Sequence, residues 1–210
     1  MLVLGIDPSY SRSGLCLMDE SGVVVAHESV EVPSVVKVGS IYQFSVSFPA
    51  AVWHARECLS WVRSQLSGDD VLGGVFMEYP ALSSRMGAWL LPLQCMMYTE
   101  LGGSEFSGVP FYLIPPTSIN SLVLPKKPKL RKGEVPAELW VKPTGKVAKR
   151  MIEDWVYTRY GVVCDHDVAS GVVLAAIGLG LLGVDVGLNV SGIKYQLVDR
   201  WYADLLCEDD

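Results

Sequence analysis

"LGIDPSYSRSG", residues 4–14, sets an apolar run against one aspartate, followed by a proline and a polar turn. Residues 2–6 read as a buried strand, which leaves Asp7 at its end. A carboxylate there is costly unless it is paired, hydrogen-bonded or bound to a cation. Outward from this point, 14–18 (GLCLM) and 23–30 (VVVAHESV) are further β-prone runs, separated by the turn-rich pieces "DPSYSRS" and "DESG". They predict three consecutive antiparallel strands. "VLGGVFMEYP", 71–80, repeats the opening theme, because its apolar run also finishes on a carboxylate, Glu78, with Pro80 close behind. "VPFYLIPP" supplies a fifth strand.

The intervening segments carry helical periods. From Pro49 onward, Val52, Ala55, Leu59, Val62 and Leu66 fall on one face, and "SGDD" ends the run. A second helical stretch is expected over 83–101, interrupted at Pro92. "PTGKVAKRMIEDWVYTRYG" predicts a helix with Val147, Met151, Ile152, Trp155 and Val156 on its apolar side. A long final helix begins around Asp167. The order of elements predicts an α/β layer sandwich, a mixed five-stranded sheet with helices on both faces.

With 210 residues, 50% of them hydrophobic, the chain is sized for a single core. We place one domain over 1–186, a basic arm inserted at about 121–142, and a C-terminal extension over 187–210. Val198, Trp201, Tyr202 and Leu205 there have the spacing of a short amphipathic helix. Five widely spaced cysteines without a CxxC pair point to buried or incidental thiols in a reducing compartment. The absence of a secretory pattern at the start leads to the expectation of a cytoplasmic protein, in a bacterial cell or a phage-infected host. Val168 to Val184 is uncharged, but its four glycines and flanking Asp167 and Asp185 suit a buried core helix rather than a membrane span.

Charge is unevenly distributed. Lys126, Lys127, Lys129, Arg131, Lys132, Lys142, Lys146, Lys149 and Arg150 face only Glu134 and Glu138 in the same stretch, a local +7 on a chain of net charge −6. The remainder therefore carries −13. This pattern fits one surface that meets a polyanion, and it also fits a lysine-rich loop that serves solubility.

Three acids are hard to place as packing residues: Asp7, Glu78 and Asp167. Asp7 has a local alternative as an Asx-turn residue before Pro8, and Asp167 as a helix N-cap for the backbone N–H of Ala169 or Ser170. Glu78 has none. If the first strand and the Glu78 strand are neighbours and the final helix packs over their ends, the three converge into a hard-oxygen site for Mg²⁺ or Mn²⁺.

Taken in order, these motifs resemble the RuvC family of Holliday-junction resolvases, members of the RNase H-like superfamily. "GIDPSYSRSG" resembles the family's first-strand signature, and "VFMEYP" its second acidic strand end. "IPPTSIN" followed by "TGKVAKRMIEDWVYTRYG" resembles its PP-x-x-[VI]-K stretch and lysine-bearing helix, here with Lys149. "DHDVASGVVLAAIGLGL" resembles its last helix, where D-x-x-D-A is usual. Residues 2–183 are covered, with the arm as an insertion. Two departures stand out. Setting Asp167 on the first acid puts Ser170 and Gly171 where aspartate and alanine are usual, while setting it on the second leaves Cys164 opposite the first. Ala81 occupies a place that is often aromatic in the family.

The resemblance implies an RNase H-like fold and a metal-dependent endonuclease acting on branched DNA as a homodimer, with two Mg²⁺ or Mn²⁺ ions per site. It implies Asp7 as the bridging ligand, Glu78 and Asp167 as flanking ligands, and Asp165, or water held by Ser170, in place of the missing acid. Lys149 would neutralise the scissile phosphate. DNA contacts would come from Tyr10 and Arg12 after the first strand, from Lys126, Lys127, Lys129, Arg131 and Lys132 on the arm, and from Lys146 and Arg150. Three alternatives stay open. A sugar-kinase or actin-like ATPase would need a second phosphate loop, which is absent. A DNA-binding protein that keeps the fold without cutting and an RNA-processing relative complete the set.

Overall fold

The computed structural model describes residues 1–9, 12–31, 44–79, 96–100, 106, 108–124 and 143–198, of which 44–50 are described by backbone alone. Six strands form one mixed sheet: β1 (Leu2–Asp7), β2 (Arg12–Asp19), β3 (Val24–Glu31), β4 (Leu72–Glu78), β5 (Phe111–Ile114) and β6 (Gln196–Leu197), in the order β3-β2-β1-β4-β5-β6. The first three strands pair antiparallel as expected. β4 then joins β1 in parallel, and β5 joins β4 in parallel. The expected count of five strands is short by one. Gln196 and Leu197 pair antiparallel with Leu113 and Tyr112, so the C-terminal extension contributes a sixth strand. Buried Val198 donates its N–H to the Phe111 carbonyl and extends this edge. Trp201, Tyr202 and Leu205 lie outside the described residues.

Among the described residues, α1 (Phe44–Gln65), α2 (Pro116–Val123), α3 (Gly145–Tyr160) and α4 (His166–Leu181) accompany the sheet. α2 has no counterpart among the sequence expectations. Pro115 sits at its N-cap and Pro116 opens it, and the pair reads as strand end and turn in sequence, yet Ser118 and Ile119 are buried. Helical residues 96–100 lie at the end of the stretch expected to be helical over 83–101.

Strand alternation divides the core into two layers. Leu2, Leu4 and Ile6 of β1 and Leu15 and Leu17 of β2 face α1, meeting Ala51, Ala55, Cys58, Leu59 and Val62. Val3, Cys16, Met18 and Phe76 point the other way, onto α4 and α3. The α1 stripe is therefore Ala51, His54, Ala55, Cys58, Leu59 and Val62, with Val52 only half-buried. On α3, Ile152 and Val156 are buried as expected, but Val147 is 61% exposed beside Lys146 and Arg150. Among the described residues no helix is long and apolar enough to cross a membrane; Val168 to Leu179 are consecutively buried within α4.

Candidate metal centre

Parity along the strands puts the acids on one face. Asp7 follows Val3 and Gly5, and Glu78 follows Phe76, so both belong to the face covered by α4. The β1–β4 register matches Ile6 with Met77, which leaves Asp7 and Glu78 at adjacent strand ends. Across β2, Asp7 is the register partner of Gly14.

Glycines bring the third acid down to this level. A Cβ on Gly14 would lie 1.9 Å from the Asp167 carbonyl oxygen and 2.4 Å from the Val168 nitrogen. A Cβ on Gly5 would lie 2.0 Å from the Gly171 carbonyl oxygen. Real side chains do not tolerate such contacts, so α4 rests on β1 and β2 backbone to backbone. Asp167 is thereby carried over Asp7, and Ser170, one turn later, comes beside the Asp7 side chain and favours its charged form.

The electrostatics record this convergence. Burial first, and then the charges of Glu78 and Asp167, push Asp7 well above the usual carboxylate range, against the Ser170 hydroxyl and the Lys149 charge. Burial and Asp167 raise Glu78 to about 7. Asp167 is raised by burial and by Asp165, and relieved by Lys149 and Arg12. Asp7 and Glu78 are nevertheless only half-buried by accessible area. Each is densely surrounded and still keeps an edge open to solvent, as an ion-binding acid requires.

Asp165 is engaged differently. One oxygen accepts the Val168 N–H at 3.0 Å, making Asp165 the N-cap of α4, and the other accepts from Arg12 Nη1 at 2.8 Å. Burial opposes the shift, but the Val168 N–H and the Arg12 guanidinium hold Asp165 below its ordinary value. The N-cap role open to Asp167 in sequence thus falls to Asp165, and the carboxylate of Asp167 is left for the site. Arg12, expected on DNA, instead lies among acids, 3.3 Å from Glu31 and 3.9 Å from Asp167.

Lys149 is exposed on the first turns of α3, with its charge acting on Asp7, Asp167 and His166. Lys146 and Arg150 are exposed on the same helix. Tyr10, Lys126, Lys127, Lys129, Arg131 and Lys132 lie outside the described residues, as does Ala81. His166 is marked by no sequence pattern, yet its Nδ1 is buried without a hydrogen-bond partner, and burial followed by the Lys149 charge lowers it to about 4. Gly5 and Gly14 did have a signal, since glycine inside a strand indicates close backbone approach.

The donor chemistry fits a divalent ion. Asp7, Glu78 and Asp167 are hard oxygen donors that repel one another, an arrangement a cation relieves. Among the described residues no three His, Cys, Asp or Glu side chains already stand at ligand geometry. Binding would therefore draw the carboxylates together.

A sheet of this order, with acids on two adjacent central strand ends and on the first turn of the covering helix, defines an RNase H-like α/β fold with a carboxylate cluster. The structure of Thermus thermophilus RuvC in complex with Holliday junction substrate is similar to it, with a TM-score of 0.52 and 12% identity over 93% of this chain and 99% of that one. A second Thermus thermophilus RuvC structure aligns with a TM-score of 0.49 and 14% identity over 93% of this chain and all of the other. At such identities the first likeness establishes the fold. No family model and no curated protein sequence matches the chain at a significant level.

Proposed function

We propose that this chain is a divalent-metal-dependent endonuclease that hydrolyses phosphodiester bonds in branched DNA, Holliday junctions foremost, and that it acts in the cytoplasm as a homodimer. The observation that carries this reading is the convergence of Asp7, Glu78 and Asp167 at one open edge of a RuvC-like sheet. Asp7 would be the shared ligand, with Glu78 and Asp167 each completing one side. Bound Mg²⁺ or Mn²⁺, two ions in the full site, supplies the Lewis acidity that activates water and stabilises the departing oxygen.

The protein's own groups do the rest. The Ser170 hydroxyl stands beside Asp7 and favours its ionised form, taking the place at which the family usually has aspartate. Lys149 sets a positive charge beside the acids and offsets charge on the scissile phosphate. Lys146 and Arg150, on the same exposed side of α3 as Lys149, meet the flanking backbone, and the basic arm adds sequence-independent affinity. A two-fold dimer matches the two equivalent strands of a junction. Asp165, with both oxygens engaged, supports the site from outside.

A non-cleaving DNA-binding role is favoured by one observation, Ser170 in place of a fourth acid. Cleavage of a synthetic four-way junction with Mg²⁺ or Mn²⁺ separates the two readings. Wild type should cut, and Asp7→Asn should lose at least about 10³-fold in rate, as expected when the central ligand of such a site is removed. EDTA should abolish cutting reversibly. Junction binding without any cutting would establish the second reading, and cutting that survives Asp7→Asn would remove the metal centre from Asp7.

A further inference from the structure

Arg12 opens β2, and its side chain reaches three acids, Glu31 on β3 and Asp165 and Asp167 at the cap and first turn of α4. Its Nη1 donates to Asp165 at 2.8 Å, its Nε lies 3.3 Å from Glu31 of the neighbouring strand, and the same Nε lies 3.9 Å from Asp167. Glu31 is also its register partner across β2 and β3. The side chain is 40% exposed, so it could turn outward to a phosphate, yet it is turned inward onto carboxylates.

The contact with Asp165 is the informative one. Asp165 caps α4 through Val168, and Asp167 is the second residue of that helix. Two residues beyond Arg12, Gly14 lies against the backbone of Asp167. The first turn of α4 is thus held twice by β2, by contact at Gly14 and by the guanidinium at Asp165. A planar fork that bridges two carboxylates restricts both, which a flexible ammonium does less well.

The geometry points to Arg12 as a positioning residue of the metal centre, which holds the α4 cap so that Asp167 is presented to the ion. This inference rests on the metal-centre reading above. It reverses the simplest expectation for a cation beside a cation site: a guanidinium acting only through its charge would repel the ion, and its removal would tighten binding. A guanidinium that positions a ligand does the opposite, and partners in the outer shell of a metal site are typically worth about 10- to 100-fold in affinity.

The test is Mn²⁺ binding by the full chain, followed by electron paramagnetic resonance, with far-ultraviolet circular dichroism verifying the fold. Arg12→Ala should weaken Mn²⁺ binding about tenfold, with Arg12→Lys in between. Asp165→Asn, which keeps the cap acceptor and loses the charge, should weaken it similarly. Combining Arg12→Ala with Asp165→Asn should cost little more than either alone, because both break one link. Unchanged or tighter binding by folded Arg12→Ala, or fully additive losses in the double variant, would overturn the assignment. Asp7→Asn keeps the two readings apart: if it binds Mn²⁺ as wild type does, the metal centre itself fails, whereas if it abolishes binding while Arg12→Ala is silent, only the role of Arg12 does.

Discussion

The two faces of the sheet are covered in different ways. On the α4 side, Gly5, Gly14 and Gly171 allow helix and strand backbones to touch, and Val168 to Leu179 are buried without interruption. On the α1 side, the helix stands off on Leu, Val, Ala and Cys side chains, and a small apolar cavity of about 10 Å³ remains among Leu4, Ile6, Leu15, Cys58 and Met97. The acids lie on the first face only. Where a carboxylate from a helix must be set against one from a strand, backbone contact leaves no soft side chains to absorb a displacement. The opposite face needs only to fill volume, and it tolerates a buried imidazole, His54, at the centre of its stripe.

The largest predicted effect breaks the tight face. Gly14→Ala puts a methyl group into the Asp167 backbone, and neither partner is a flexible side chain. It should destabilise the fold by about 3 kcal/mol, the upper end for overpacking, and displace Asp167. Urea unfolding measures this; a loss below about 1 kcal/mol would mean that α4 is free to lift off the sheet.

On the looser face the sharper probe is pH. His54 is almost wholly buried, its Nε2 lies 3.1 Å from the Val30 carbonyl oxygen and therefore carries the proton, and burial lowers it from 6.5 to about 4. Unfolded His54 gains a proton below about pH 6.5, and folded His54 does so only near 4, so stability falls as pH falls through that window. The contribution lost between pH 7 and pH 5 is about 2 kcal/mol. Urea melts at the two pH values, with His54→Gln as reference, should show the wild type losing more; equal losses would place the imidazole in contact with water.

The smallest effect refines the site itself. Ser170→Ala removes the hydroxyl beside Asp7 and should cost about 1 kcal/mol of stability at neutral pH, while the apolar packing of α4 stays intact. Its effect on metal affinity should be in the same direction. A stabilised variant would indicate that Asp7 is protonated and that Ser170 contributes nothing to it.

Much of this was legible before any coordinates. Apolar, β-prone runs between turn residues located β1 to β5, one-faced helical spacing located α1 and α3, and the long uncharged stretch from Val168 located α4. Two elements escaped. α2 begins at a proline pair that reads as a turn, and β6 is two residues long, too short to show a period at all. Both owe their existence to surfaces already formed by the rest of the sheet. Val147 failed for a related reason: it keeps the helical spacing of an apolar stripe, but its side chain is exposed.

For the site, the chain order of Asp7, Glu78 and Asp167 at element ends, and their identity as hard oxygen donors, were written in the amino acids. Which acid caps α4, where Arg12 turns and what Ser170 touches were decided by the packing of α4 on Gly5 and Gly14. A strand-end or helix-start position is a local property, set by the residues immediately around it. A hydrogen-bond partner 153 residues away, as Arg12 is from Asp165, depends on how two layers meet, and no neighbouring residue encodes that.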